Sequence, residues 1–346
     1  MIIDLRSDTV TKPSAPMLQT MLSAPVGDDV FNEDPTIIQL EEKLATMFNM
    51  QAGLFCPSGT MTNQIAIKAH TQPGDEVICD INSHIYVNEG GGVASNSGAQ
   101  VRLLTGDRGR VTAKQVEENI NGDFDWLPRT AMVSLENTIN KAGGSFYTAK
   151  DIEPITQLCK QKNLPLHLDG ARIFNALVVS NETAHQHGSL FTSISVCLSK
   201  GLGAPVGSVL LGDIVFIKKA RRIRKVFGGG MRQGGILAAA GLYAIEHNIT
   251  RLKDDHTRAK QLEKMLQTLP FIENILPVDT NIVIFNVNEK IGSQKFVQAL
   301  QQHNIKAVAF GKNTMRMVTH LDFTDDMLTE VGKAFKAISL QKVSFN

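Results

Sequence analysis

Two stretches, His167-Leu168-Asp169-Gly170-Ala171-Arg172 and Cys197-Leu198-Ser199-Lys200-Gly201, decide how this chain folds. Each closes a largely apolar run, residues 164–168 and 194–198, short enough for a strand and too continuous for a half-exposed one. The first run delivers Asp169 and the second delivers Lys200, 31 residues later. Similar runs at 76–79, 100–104, 131–135 and 208–211 alternate with helical segments. That alternation predicts an α/β fold, a mainly parallel sheet flanked by helices on both faces. Ligands of such sheets gather at the carboxyl ends of the strands, where Asp169 and Lys200 fall.

The segment 36–50 sets Ile37, Leu40, Leu44, Met47 and Phe48 on one helical face, with Pro35 in the first turn, where its missing amide costs nothing. An Ala-rich helix at 234–248 and a longer one at 250–269 lead to a smaller unit. It has strands at 281–287, 306–310 and 315–319 and a last helix from Asp325. The expected division is an N-terminal arm and a large domain carrying Asp169 and Lys200 over 1–250, then a small C-terminal α+β domain over 251–346.

With 35 basic and 34 acidic residues the net charge is +1, which removes nucleic acid and acidic membranes as expected partners and leaves small molecules. The four cysteines never form a CxxC pair, so neither a metal site nor a redox motif is expected, and buried thiols in a reducing cytosol are. The N-terminus carries acids where a signal peptide needs a basic start, and no apolar run approaches the roughly 20 residues of a membrane span. A cytoplasmic protein is expected.

A carboxylate and an amine at neighbouring strand ends suit pyridoxal 5'-phosphate. That cofactor needs a lysine to form a Schiff base with its aldehyde and an acid to keep its ring nitrogen protonated. An ion pair uses the same residue types, so the surrounding motifs carry weight. Ser58-Gly59-Thr60 opens a helical stretch and offers free amides, hydroxyls and a positive dipole end to a phosphate, although capping explains Ser and Thr there too. His84, on the loop after the 76–79 run, can stack on a planar ring and exchange protons near neutral pH. The basic run 218–225 leads into Gly228-Gly229-Gly230-Met231-Arg232, where Lys225 and Arg232 can hold a phosphate across a subunit boundary. Arg316 interrupts an apolar pattern, and Arg172 follows Asp169 by three residues; either guanidinium can grip a carboxylate with two parallel hydrogen bonds.

Several motifs in one order make the chain recognisable: residues 4–11 (Asp-Leu-Arg-Ser-Asp-Thr-Val-Thr), 25–30 (Pro-Val-Gly-Asp-Asp-Val), 134–138 (Ser-Leu-Glu-Asn-Thr), 168–173, 198–201, 228–233 and 318–322. The chain resembles, over nearly its whole length, the low-specificity L-threonine aldolases of the aspartate-aminotransferase-like fold (fold type I). The resemblance implies that Lys200 is the Schiff-base lysine, Asp169 the pyridinium partner, His84 the ring-stacking residue, and Gly59 and Thr60 phosphate contacts. By the same likeness Arg172 meets the ring oxygen or the substrate carboxylate, and Ser7 and Arg316 bind that carboxylate. Lys225 and Arg232 lie near the phosphate of a neighbouring subunit's site, in homotetramers with active sites at dimer interfaces. Some relatives have histidine where this chain has Trp126 and Ile139, and phenylalanine where it has Asn88, so Trp126 enters the expected substrate pocket.

The implied reaction is cleavage of L-threonine or L-allo-threonine to glycine and acetaldehyde, with His84 or the released Lys200 taking the β-hydroxyl proton. β-Elimination, amino transfer and a non-catalytic cofactor-binding relative are the alternatives.

Overall fold

The chain opens with a short strand, β1 (Ile3–Asp4), and then lays down seven strands of one sheet. These are β2 (Ala52–Cys56), β3 (Glu76–Asp80), β4 (Gln100–Leu104), β5 (Thr130–Glu136), β6 (Leu166–Gly170), β7 (Ser193–Cys197) and β8 (Ser208–Gly212). The computed structural model describes residues 2–340; Met1 and residues 341–346 of the expected small domain lie outside the described residues. The spatial order is β2-β8-β7-β6-β5-β3-β4. β3 to β7 run parallel, and β8 alone runs antiparallel to both its neighbours. The reversal has a simple cause: β7 and β8 are joined by the helix-free loop 198–207, too short for a crossover between parallel strands.

β5, β6 and β7 are buried at every position, as expected of parallel strands covered on both faces. Ladder pairing starts at Leu166 rather than Leu164, because Pro165 has no amide to donate. A Cβ on Gly170 would lie 2.5 Å from the Ser195 carbonyl oxygen, so glycine alone lets β6 run on past Asp169 beside β7. β2 was not anticipated as a strand: its Ala-Gly-Leu-Phe-Cys carries no alternation and draws its order from β8.

Helices form where caps and apolar stripes coincide. The Pro35–Met47 helix starts at Asp34, whose carboxylate accepts from the Thr36 and Ile37 amides, and buries Ile37, Leu40 and Leu44. The Gly59–His70 helix is capped by Ser58 and runs beneath β7 and β8. Residues 252–340 build a second unit, the antiparallel sheet of β9 (Ile272–Ile275), β10 (Ile282–Val287), β12 (Val308–Ala309) and β13 (Thr314–Val318), with β11 (Ile305–Lys306) beside it. β11 pairs with β1, and Ile3 and Leu5 are buried with Phe285, Phe296 and Phe335. The N-terminal arm, grouped with the large domain in the sequence reading, therefore straddles both units. The reason is backbone pairing some 300 residues away, to which local pattern is blind.

Candidate active site

The sheet order reverses between β3 and β5, and the crevice at their carboxyl ends is the expected ligand position for such a sheet. Glu136, last in β5, sits there: one of its oxygens accepts from the His84 amide at 2.8 Å and the other from the Asn140 amide at 2.9 Å. Glu136 is paired in register with Asp169 on β6. Burial, and then the Asp169 charge, push the Glu136 carboxyl up to about 7.

Asp169 accepts from the Ala171 amide on Oδ1 (3.1 Å) and from Asn63 Nδ2 on Oδ2 (2.9 Å). The same Asn63 nitrogen donates to Oε1 of buried Glu89 (2.9 Å), and Glu89 Oε1 also bonds His84 Nδ1 (2.9 Å). Gln64 holds the second Glu89 oxygen at 2.7 Å. With Nδ1 engaged by Glu89, His84 keeps Nε2 outside that contact. Burial by itself would lower the His84 pKa, but hydrogen bonding to Glu89 and the Asp169 and Glu136 charges outweigh it, and the net shift is upward. Among the described residues no lysine or arginine is ion-paired with Asp169, Glu89 or Glu136. One ligand atom each from His84, Glu89 and Asp169 lies within 4.8 Å of the others, a spacing that a metal ion could use. The Asn63 N–H group already occupies the interval between the two carboxylates, however, and a donor there suits an organic cation alongside better than a bare ion between them.

Lys200 lies three residues past the end of β7, and its backbone carbonyl is held by Thr11 Oγ1 at 3.1 Å. Its ammonium is near enough to act on Asp8 and on Cys197. Burial raises the Cys197 thiol pKa, Lys200 lowers it, and the lowering prevails. Beside Lys200, the helix starting at Gly59 points its amino end at the carboxyl end of β7. A Cβ on Gly59 would lie 3.4 Å from Ser208 Oγ and 3.9 Å from Cys197 Sγ. The Gly59 and Thr60 amides precede the first intrahelical bond, and Ser208 Oγ is buried without a hydrogen-bond partner among the described residues. Together these donors fit a phosphate group.

Guanidinium groups lie close to the same strand ends, Arg172 through the Asn137 carbonyl and Arg316 through Asn140. Arg172 Nε and Nη2 grip both oxygens of buried Asp8, at 2.7 and 2.6 Å, and Asn281 donates to Asp8 Oδ2 at 3.3 Å. Asp8, desolvated, needs a bidentate cation, and Arg172 Nη1 stays outside the pair. Arg316 gives Nη1 to Asn140 Oδ1 (2.9 Å) and Nη2 to the Arg6 carbonyl (3.1 Å), and its Nε is buried with no partner among the described residues. Burial, and then the Arg172 charge, lower its pKa to about 10. Among the described residues no acid is ion-paired with Arg316. Ser7, next to Arg6, accepts from Thr9 through its own hydroxyl oxygen, which leaves its proton to donate.

Three expected site residues stand elsewhere in this chain. Trp126 is 74% exposed and stacked on Phe124, on the segment 118–129 that enters β5 at its amino end, across the sheet from Asp169. Arg232 pairs with Asp28 at the surface (2.9 Å), and Lys225 lies with Asp29, Arg221 and Gly230 along a shallow cavity of about 340 Å³. Asn88 is exposed behind His84, and Ile139 packs in the core against Gly109. Asn63, Glu89, Glu136, Asp8 and Asn140 had no predicted role. Glu136 closes a buried apolar run just as Asp169 does, and that shared position was a usable signal.

Residues 4–290 match the beta-eliminating lyase family. The chain is 38% identical over 337 residues to the low specificity L-threonine aldolase of Escherichia coli K12, covering 97% of this chain and 99% of that one. It is 38% identical over 340 residues to the corresponding Saccharomyces cerevisiae enzyme, covering 96% and 85%. The fold superposes on Leishmania major threonine aldolase with a TM-score of 0.84 over 97% of this chain and 99% of that one, at 19% identity. With identity maintained over almost the whole length, this chain belongs to the low-specificity L-threonine aldolases, within the beta-eliminating lyase family.

Proposed function

We propose that the chain is a pyridoxal-phosphate-dependent aldolase that cleaves L-threonine and L-allo-threonine, and related β-hydroxy-α-amino acids, to glycine and an aldehyde such as acetaldehyde. The observation that carries this is a charge pattern. Among the described residues, Asp169, Glu89 and Glu136 have no paired lysine or arginine, and Arg316 has no paired acid. A protonated ring nitrogen answers the carboxylates and an amino-acid carboxylate the guanidinium. The Gly59 amino end and Ser208 Oγ would take the phosphate, and Lys200 is the amine within reach. When bound, the cofactor supplies a conjugated ring that accepts the electrons released by carbon–carbon cleavage.

The residues then divide the work. Asp169 holds the proton on the ring nitrogen. Arg316 and the Ser7 hydroxyl fix the substrate carboxylate, which orients the Cα–Cβ bond for cleavage. Glu136 anchors both the His84 loop and Asn140, and through Asn140 it anchors Arg316, so one carboxylate spaces the proton-transfer group from the carboxylate grip. His84 Nε2 takes the β-hydroxyl proton as the aldehyde departs, and Cα is then protonated to give glycine.

We place the protein in the cytoplasm as a homotetramer with active sites at dimer interfaces. All four cysteines are free and buried, and among the described residues no helix is long and apolar enough to cross a membrane. Phe31, Val226 and Ile236 are exposed around Arg232 and Lys225, an apolar setting that suits a subunit contact and would carry those two residues to a neighbour's phosphate.

Product analysis tests the activity. Aldolase chemistry releases acetaldehyde and glycine in equal amounts, whereas ammonia with an oxo acid, or a requirement for an oxo-acid acceptor, would replace this assignment by elimination or amino transfer. Borohydride reduction of the cofactor-loaded protein should label the peptide containing Lys200 and no other.

A pH profile tests His84. An imidazole must be neutral to accept a proton, and Glu89 with the Asp169 and Glu136 charges shifts this one upward from the ordinary imidazole range. The acidic limb of kcat/KM should therefore lie higher in pH than an unperturbed imidazole would put it. His84→Asn should flatten that limb and lower the rate by about a hundredfold. A limb that persists in the variant assigns the proton to another group.

A further inference from the structure

Behind the crevice, the neighbours of Asp169 continue as a chain of buried polar side chains. His167 lies two residues earlier on β6 and is paired in register with Ser193 on β7. Its Nδ1 is 2.9 Å from Ser193 Oγ and its Nε2 is 3.2 Å from Asn63 Oδ1. On the far side of Ser193, His70 Nε2 stands 3.0 Å from the same hydroxyl, with its ring stacked on Phe216. Asn63, His167 and Ser193 are almost wholly buried, at 1%, 0% and 0% exposure. Buried polar side chains need partners, and here each partner is the next member of the chain.

The sense of every bond follows from the acceptor at its end. Asn63 turns its amide nitrogen to Asp169 and Glu89, whose oxygens accept, and its own oxygen to His167. That oxygen only accepts, so His167 carries its proton on Nε2. Burial, with a further push from His70, lowers the His167 pKa to about 3, which keeps the ring neutral and Nδ1 free to accept. Ser193 therefore donates to His167 and accepts from His70 Nε2. Every proton points toward Asp169.

We propose that Asn63 and His167 are positioning residues of the reaction, a one-way relay of hydrogen bonds from His70 through Ser193 that holds Asp169 as an acceptor aimed at the cofactor's ring nitrogen. The assignment rests on the reading that Asp169 meets that nitrogen. Because the Asn63 amide also holds Glu89, the relay sets the His84 tautomer as well. A simple packing role for the histidine would be served by phenylalanine or leucine, neither of which brings a buried donor that must be satisfied.

The relay is tested by spectroscopy and binding on the loaded protein, with turnover as a secondary readout. Asn63→Leu and His167→Phe should weaken pyridoxal phosphate binding by about 10- to 100-fold, the usual effect of removing a supporting hydrogen bond behind a ligand. Both should shift the cofactor's visible absorption and its ring N–H proton resonance in the same direction, and lower kcat while leaving KM for L-threonine near the parent value. His167→Gln, which returns an N–H donor to Asn63, should recover part of each change. Should the first two variants fail to fold, nitrogen NMR of the parent protein decides. The His167 ring must be neutral with its proton on Nε2, and both nitrogen shifts must move when cofactor is added. The opposite tautomer, a doubly protonated ring or shifts that ignore the cofactor would overturn the relay. Asp169→Asn separates the two ideas: if it binds and turns over like the parent, the ring-nitrogen assignment fails. If it is impaired while Asn63→Leu and His167→Phe keep the parent spectrum and affinity, only the relay fails.

Discussion

Lys200→Ala is expected to lower acetaldehyde release from L-threonine by at least about 10⁴-fold, since a residue that forms the covalent link to the cofactor has no understudy. The loss should come without loss of fold. Lys200 makes its structural contribution through its backbone: the carbonyl accepts from Thr11 Oγ1 and from the Gly203 amide, and neither bond needs the side chain. The variant should still bind pyridoxal phosphate reversibly through the Gly59 amino end and Asp169, and borohydride should no longer attach it. A coupled assay for acetaldehyde, with absorbance spectra before and after gel filtration, reads both properties. Turnover at a substantial fraction of the parent rate would remove Lys200 from the mechanism.

Asp8→Asn is expected to cost roughly 3–5 kcal/mol of stability at neutral pH, because it leaves the buried Arg172 guanidinium without its counter-charge. Burial alone would raise the Asp8 pKa, but the charge and hydrogen bonds of Arg172 overcome this and bring it from 3.8 to about 2. A carboxylate with a depressed folded-state pKa stabilises the protein above its unfolded value. That contribution is whole above 3.8 and is lost as pH falls toward about 2. Linkage makes it about 2–3 kcal/mol. The cofactor-free variant should therefore melt well below the parent at neutral pH, and the gap should narrow on acidification. Equal melting temperatures at neutral pH would mean that the pair contributes nothing net.

The parts of the fold legible in the sequence are those whose signal is local. β5, β6 and β7 read as strands because burial on both faces demands unbroken apolar runs, and Asp169 and Lys200 stood out by ending or following such runs. The Gly59–His70 helix was legible from its Ser58 cap, while its catalytic support was not. Thr62, Asn63 and Gln64 are consecutive and all buried, yet in one dimension they look like a solvated stretch. β1 escaped because a distant partner specifies it, and β9 because it is short and partly exposed, with no unbroken apolar run. Asp8 and Arg172 each gave a signal in the sequence, but their bond joins residues 164 apart and follows from neither neighbourhood. Trp126 was placed by likeness to relatives, and Lys225 and Arg232 by their basic, Gly-rich stretch, read as reaching a neighbouring subunit; a single chain leaves them at its surface.

The arm that pairs β1 with β11 has a consequence for when the protein becomes an enzyme. Asp4 offers its carbonyl to His320, Arg6 to Arg316, and Asp8 meets Asn281, contacts spanning 316, 310 and 273 residues. Closures that long come late in folding, after the sheet's nearer pairings have formed. A chain whose 52–212 sheet has formed but whose residues 4–8 have not yet met residues 281–320 lacks the groove that grips a carboxylate, so order in the sheet alone does not make the site.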